Sequence, residues 1–136
     1  MRSLAEAQIA AQLNGLTRPV RLCSLSPNGF PLISTLWFLY ADGLFWCITQ
    51  ASTLTRRNLA VDPRCAFEIT LDRGRYKLLR GQGIATLNLD DGARVTNLMI
   101  DRYLDDPNGA VAAKLRAQIP TEYAISIKPN WVRGQA

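Results

Sequence analysis

The sequence of 136 residues contains no histidine. Ser-His-Asp and Cys-His catalysis, histidine-bearing metal sites and imidazole acid–base chemistry all need that side chain, so the sequence excludes them. Cysteine is scarce: Cys23, Cys47 and Cys65 are odd in number, far apart and embedded in apolar runs. This pattern is typical of reduced structural thiols and not of a disulfide frame or a thiolate cluster. We therefore expect no metal site.

Long apolar runs are also missing, since none approaches the roughly 20 residues that a membrane helix needs. We expect no membrane partner. Glu6 falls where a secretory signal would have its apolar core, so the sequence predicts a cytoplasmic protein. The length suits a single domain over 1–136, with an N-terminal helix in 1–16 and a barrel over 18–134.

Negative charge is in short supply. Sixteen basic residues, most of them arginine, face eleven acidic ones, for a net charge of +5. Arginine suits the bidentate recognition of phosphate or carboxylate, so an anionic ligand is implied. The basic run over 73–80 is short, and its neighbouring aromatic residues are predicted to be buried and not displayed for stacking. We therefore rank nucleic acid last and expect no nucleic-acid partner.

Hydrophobic periodicity predicts an α+β or mainly β chain. A capping box at Ser3 to Glu6 predicts the start of a helix that ends at Asn14-Gly15, and residues 20–25, 31–40 and 44–49 form a predicted three-stranded antiparallel meander. The remaining predicted elements are helices over 52–61, 90–104 and 110–117, strands over 65–71, 76–87 and 123–127, and a further strand near Trp131. Gly81 and Gly83 predict a bulge. Six antiparallel strands with short flanking helices suit a small barrel, because closure removes exposed edges.

Both faces of the predicted strand over 31–40 are apolar. Ile33, Trp37 and Leu39 share one face, and Phe38 and its even-numbered neighbours share the other. One face can fill the barrel, and the second needs a cover. Either the N-terminal helix or an isologous homodimer contact can supply that cover.

The strongest local signal is the segment 49–59, in which a strand end leads into a hydroxyl-rich turn and a helix with two arginines. Free N–H groups, the positive end of the helix dipole, hydroxyls and a guanidinium together suit a phosphate. Because adjacent helical residues point about 100° apart, Arg56 and Arg57 cannot both face one phosphate from one chain. From this segment alone, an ordinary N-capped surface helix with solvated arginines is the slightly simpler interpretation.

A second candidate region is the extended segment Ser34-Thr35-Leu36-Trp37-Phe38, which carries hydroxyls followed by an aromatic residue. Such an edge could lie along a flat ring system, with backbone groups bonding the polar rim of the ring. In isolation, an assignment of these residues to the core is the simpler interpretation.

Taken together, these segments resemble the pyridoxamine phosphate oxidase-like, flavin-binding split-barrel superfamily from about Pro19 to the last strand. The combination is more specific than any of its parts. The residues that carry the resemblance are Ile33 to Phe38, Asp42-Gly43, Thr49 with Ser52 to Leu59, Asp62 to Phe67, and Arg80 to Ala85.

The resemblance implies a homodimer with flavin mononucleotide (FMN) in a groove at the interface. By resemblance, Thr49, Thr53, Leu54 and Thr55 lie where the family contacts the phosphate, and Ser34, Thr35, Leu36 and Trp37 lie where it lines the ring. This chain departs from the family at Thr55, where a basic residue is usual, and at Leu54, where arginine or a similar residue is usual. Arg56 or Arg57 can compensate for this difference.

The resemblance further implies that no catalytic side chain is required, since the flavin itself carries the hydride. The expected function is a flavin-dependent oxidoreductase that takes electrons from a reduced nicotinamide and passes them to a small-molecule substrate. Two alternatives stay open. One is a deazaflavin-dependent reductase of the same fold, and the other is a non-catalytic protein that carries flavin, haem or another flat ligand.

Overall fold

The computed structural model describes residues 2–136, so the share of the predicted domain and N-terminal helix that falls on Met1 lies outside the described residues. The described chain has seven strands and four α-helices. In chain order they are α1 (Glu6–Leu13), β1 (Val20–Leu25), β2 (Pro31–Leu36), β3 (Leu39–Ala41), β4 (Leu44–Gln50), α2 (Leu54–Val61), β5 (Arg64–Thr70), β6 (Leu78–Asn88), α3 (Gly92–Tyr103), α4 (Ala110–Ala117) and β7 (Glu122–Gln135). No helix in this part of the chain is long and apolar enough to cross a membrane.

The strands form one curled antiparallel sheet in the order β2-β1-β5-β6-β7-β4-β3. This architecture confirms the predicted fold class of mainly β or α+β, with seven strands in place of six. The extra strand arises because the segment over 31–40 divides into β2 and β3, which lie at opposite edges of the sheet. Trp37 and Phe38 join these two edges directly. The chain thus closes the barrel covalently where no ladder of hydrogen bonds does.

The predicted three-stranded meander is wrong, because β2 pairs only with β1, and β4 pairs with β3 and β7. The physical reason lies at Phe38, whose side chain is fully buried in the core. Its backbone N–H and carbonyl lie 3.1 and 2.8 Å from the hydroxyl of Tyr103. This hydroxyl satisfies backbone groups that have left the sheet, which a buried segment requires.

The predicted bulge is confirmed by a register shift between Gln82 and Gly83 where β6 pairs with β7. A Cβ at Gly81 would lie 2.5 Å from both the Phe67 ring and the Trp131 carbonyl, so the strand needs glycine at this position. The two C-terminal strands predicted from the sequence are one, because β7 continues past the bulge and pairs with all of β6.

The N-terminal helix is shorter than the predicted 1–16 and does not begin with the predicted capping box. The Ser3 hydroxyl accepts a hydrogen bond from the Val132 N–H at 3.0 Å, so the edge of β7 takes up the side chain that would cap the helix. The N-cap is instead Ala5, whose N–H donates to the Gln8 side chain at 2.8 Å. The helix ends before Gly15, as predicted.

The main core fills the barrel and includes Phe38, Phe45 and Phe67, with the latter two ring centroids 4.7 Å apart. Helix α1 closes one end of this core. A second, smaller core lies under α3, where Trp37 and Leu39 pack. The cover for that face is therefore α3 and not the N-terminal helix.

On the outer side of β2, Ile33 remains 68% exposed. Ile84 on β6 is also exposed, so the sheet keeps uncovered apolar positions after the chain's own helices are in place.

Candidate functional site

The start of α2 is built on the hydroxyl of Thr53. Thr53 is the N-cap of this helix: its backbone is extended, and its side chain accepts the Arg56 N–H at 3.1 Å. The same oxygen lies 2.6 Å from the hydroxyl of Thr49 at the end of β4. The strand end and the helix start are thereby held together by side chains that can also bind an anion.

A second hydroxyl pair joins α2 to β2. The Oγ of Ser34 and the Oγ1 of Thr55 are 2.5 Å apart, and Thr55 is buried. A pair of hydroxyls uses one of its two protons for the shared hydrogen bond, so the Ser34–Thr55 pair keeps one donor for another acceptor. Because Thr55 points inward to Ser34, the spare donor is more accessible on Ser34, which is half-buried. In the other pair, the Thr53 hydroxyl also donates to the Gln50 carbonyl at 3.1 Å.

The two arginines of α2 have different environments. The Arg56 Nε donates to the Ala51 carbonyl at 2.7 Å, and its guanidinium lies 5.9 Å from the centre of the Tyr123 ring. Arg56 therefore braces the turn before the helix. Arg57 is exposed and forms no ion pair with any described residue, so of the two it is the one free to reach a ligand.

The remaining predicted residues do not join this group of hydroxyls. Leu54 is 58% exposed at the first position of the helix. Thr35 is exposed on the outer side of β2, the side away from Ser34, and Leu36 packs against the main core. Trp37 stacks in parallel on Tyr103, with ring centroids 4.9 Å apart. The structure thus brings together Ser34, Thr49, Thr53, Thr55 and Arg56.

Sequence reasoning missed a polar cluster under α2. The buried Asn58 donates to the hydroxyl of Ser24 at 3.2 Å and lies 3.4 Å from that of Ser26. Asn58 follows Thr55 by three residues, so helical spacing places both on one face. This three-residue spacing is the sequence feature that could have predicted a polar face on α2. Helix α2 therefore contacts the sheet through these directional hydrogen bonds as well as through Leu59, which packs in the main core.

A network at the start of β7 anchors the turn before α2, and sequence reasoning missed this too. The Ala51 N–H donates to the Thr121 carbonyl at 3.0 Å, and the Thr121 hydroxyl donates to the Gln50 side chain at 2.6 Å. The Gln50 amide also donates to the carboxylate of Glu122. No local signal reveals these contacts, since the partners are about 70 residues apart in sequence.

Glu122 is 5% exposed, and burial raises the pKa of its carboxyl, while the hydrogen bond from Gln50 acts in the opposite direction. A carboxyl whose pKa is raised in the folded state binds more protons there than in the unfolded state. Its contribution therefore lowers the free energy of unfolding as pH rises from the ordinary pKa of 4.5 towards the raised value.

Replacement Glu122→Gln is expected to remove this part of the pH dependence. The amide oxygen can still accept from Gln50, but it never ionises. Chemical denaturation across about pH 4 to 8 should show the variant gaining stability relative to the wild type as pH rises. Asp101→Asn serves as the control, because it removes an exposed carboxylate outside this network. If the free energy of unfolding has the same pH dependence in the wild type and in Glu122→Gln, the raised pKa of Glu122 is contradicted.

The cysteines are packing residues. Burial raises the pKa of the Cys65 thiol to about 12 and that of Cys47 further still, so neither is a thiolate at neutral pH. All three cysteines are free, which agrees with the predicted structural thiols. The described residues contain no group of three or more potential metal-ligating His, Cys, Asp or Glu side chains.

No family model and no curated protein sequence matches the chain. Several solved structures do match it over nearly its whole length. One is an F420 reductase, which is 19% identical, has a TM-score of 0.77, and matches over 93% of this chain and 96% of its own. Another, from Listeria innocua, is provisionally named a pyridoxamine 5'-phosphate oxidase (18% identical, TM-score 0.70, 95% and 96% covered). The third is HutZ, the haem storage protein from Vibrio cholerae, which is 17% identical, has a TM-score of 0.68, and matches over 98% of this chain and 95% of its own. At these identities the likeness shows a common fold.

Proposed function

Because the chain has the split-barrel fold of the pyridoxamine 5'-phosphate oxidase-like proteins, we propose that it binds FMN at the start of α2 and acts as a flavin-dependent oxidoreductase. The observation that carries the proposal is the pair of hydrogen-bonded threonines at this helix start, beside an arginine that forms no ion pair with any described residue. The hydroxyl oxygens of Thr49 and Thr53 lie 2.6 Å apart, and Arg57 is exposed one turn into the helix.

These groups fit a phosphate. The N–H groups of Leu54 and Thr55 belong to the first turn and have no intrahelical partner, so they point out of the helix start together with its positive dipole end. The guanidinium of Arg57 adds a formal charge, and arginine binds phosphate bidentately. These contacts replace the basic residue that the family usually carries where Thr55 stands. A bound flavin would supply the hydride chemistry, while the chain binds and orients it and excludes water.

The first test is an absorption spectrum of the purified protein, recorded before and after the addition of FMN and desalting. Acid release then identifies any retained molecule. We expect oxidised-flavin bands that survive desalting. Colourless protein that retains no flavin after incubation would contradict the proposed cofactor.

A deazaflavin is the second candidate cofactor, and the structural likeness to an F420 reductase favours it. The phosphate contacts at α2 suit either cofactor, so the same experiment with a deazaflavin separates the two by retention. Oxidation of a reduced nicotinamide by the flavin-loaded protein then separates an enzyme from a carrier. A loaded protein without turnover would support the carrier function, for which the likeness to a haem storage protein is the precedent.

We further propose that two copies of the chain pair through the outer face of the sheet. Ile33 is aligned across the strands with Cys23, Ala66 and Gln82 in one transverse row, so its exposed side chain adjoins a stretch of mostly apolar surface. An exposed apolar patch of this kind is typical of an isologous interface.

Light scattering should therefore give a mass of twice 15.1 kDa for the wild type. Ile33→Arg should give a monomer, because it would bury unpaired charge on both sides of the interface. Val111→Arg on α4 is the matched control, as Val111 is 59% exposed and lies away from this face, and it should remain dimeric. A monomeric wild-type protein would contradict the proposed interface.

A further inference from the structure

A cavity of about 310 Å³ lies where the ends of β6 and β7 pair, and none of the residues at the α2 start lines it. Its lining residues are Arg80, Trp131, Arg133, Gly134 and Gln135, which together are named the Arg80–Arg133 cleft. The volume lies at the lower end of the range for small-molecule sites, so it suits a ligand with one ring and one polar group.

Positive charge in and beside this cleft exceeds negative charge. Arg21, Glu68, Arg80 and Arg133 are consecutive members of one transverse row across β1, β5, β6 and β7. Glu68 pairs only with Arg80, at 3.6 Å, and Arg133 forms no ion pair with any described residue. The row therefore has two guanidinium charges without a carboxylate partner.

Arg133 also has an unused donor. Its Nε is buried and has no hydrogen-bond partner among the described residues. A buried donor without a partner costs free energy, and no hydrogen bond at Nε holds the Arg133 side chain in this position. Arg80 is held nearby, because it donates to the side chain of Gln135 at 2.7 Å. Two guanidinium groups thus border one cavity, and one of them lacks an acceptor.

The aromatic side of the cleft is fixed in place. The Trp131 indole N–H donates to the Gln82 side chain at 3.2 Å, and the Arg133 guanidinium lies 4.5 Å from the centre of an indole ring. The hydrogen bond sets the orientation of the indole, and the guanidinium stacks on it. A flat apolar surface and an unsatisfied cation are therefore presented to the same cavity.

We propose that the Arg80–Arg133 cleft binds a small planar aromatic anion, such as an aromatic carboxylate or an aryl phosphate. The anionic group accepts hydrogen bonds from Arg133 and Arg80, and the ring lies against Trp131. The site belongs to one protomer and does not depend on the cofactor proposed at α2.

Phenyl phosphate is a suitable probe, and binding can be followed by calorimetry and by the NMR signal of the Trp131 indole N–H, assigned with Trp131→Phe. We expect saturable binding, with inorganic phosphate and phenol each at least about tenfold weaker. Arg133→Lys keeps the charge but removes the Nε and the planar fork, and should weaken binding roughly tenfold. Arg75→Ala is the matched control, since Arg75 is exposed, lies over the Tyr76 ring and does not line the cleft.

Two further variants separate this site from the others. Thr53→Ala/Arg57→Ala should leave phenyl phosphate binding intact, and loss of binding in that variant would move the ligand to α2 and overturn the proposal. Ile33→Arg should also retain binding, and its failure to do so would show that a partner chain builds the site. Absence of saturable binding to the wild type, equal weakening by Arg75→Ala, or inorganic phosphate binding as tightly as phenyl phosphate would likewise overturn it.

Discussion

Replacement Gly92→Ala is expected to destabilise the protein by about 3 kcal/mol or more, at the upper end of overpacking costs. Helix propensity alone predicts the opposite, since alanine is favoured over glycine by up to about 1 kcal/mol in a helix. Gly92 is the first residue of α3, and a Cβ there would collide with the carbonyl oxygen of Glu122, with the carbonyl carbon at 3.0 Å. That carbonyl is backbone and cannot rotate away, so α3 or β7 has to move.

Thermal and denaturant unfolding measure this effect, and we expect a fall in melting temperature of roughly 10 °C. Gly109→Ala is the matched control, because Gly109 also lies at a helix start, the N-cap of α4. A Cβ at Gly109 would have its closest contact, at 3.0 Å, with the flexible side chain of Asp106. That change should cost no more than about 1 kcal/mol. A stabilised Gly92→Ala protein would mean that α3 does not approach β7 this closely.

The double replacement Thr53→Ala/Arg57→Ala is expected to weaken FMN binding by about 100-fold. The substitution at Arg57 removes a charge-assisted contact to the dianionic phosphate, which contributes about 1.5 to 3 kcal/mol, and the substitution at Thr53 removes the hydroxyl that orders the first turn of α2. Loss of the Thr53 cap should also lower the free energy of unfolding by about 1 kcal/mol. Titration of FMN fluorescence gives the affinity, and denaturation gives the stability.

The conservative variant Thr53→Ser/Arg57→Lys separates binding from folding, because it keeps the N-cap hydroxyl and the positive charge. It should bind FMN much more tightly than the alanine variant and unfold like the wild type. Wild-type affinity in the alanine variant would place the phosphate elsewhere. If both variants lose FMN affinity equally while the Ser/Lys variant is as stable as the wild type, the planar geometry of the arginine guanidinium decides binding.

Much of the fold was predictable from local patterns. The alternation of apolar residues located the strands, and Asp42 and Gly43 marked a tight turn in which both residues have positive φ. The Thr53 N-cap and the bulge at Gly83 were likewise predictable, because each depends on the chemistry of a few adjacent residues. Such features are decided within a window of about 10 residues, where helix and strand periodicities differ.

The sequence-based predictions were wrong where a contact with a distant segment of the chain overrides the local pattern. Ser3 suits a helix cap, but its hydroxyl serves Val132 on β7. The segment over 31–40 alternates like one strand, yet the buried Phe38 and the Tyr103 hydroxyl divide it in two. In both cases the deciding partner lies more than 60 residues away in sequence. No local pattern carries that information.

The candidate site shows the same division. The sequence alone located the hydroxyl-rich turn and the two arginines, because capping chemistry and helix geometry are local. Only the tertiary structure decided that Ser34 joins this turn, that Arg56 braces it and that Arg57 is left free. It also decided that Trp37 faces Tyr103 and that Arg133 keeps an unused donor. The physical reason is that the local sequence decides which helix or strand a side chain belongs to and which face of it the side chain occupies. Its hydrogen-bond partners depend on which other helices and strands the fold brings beside it.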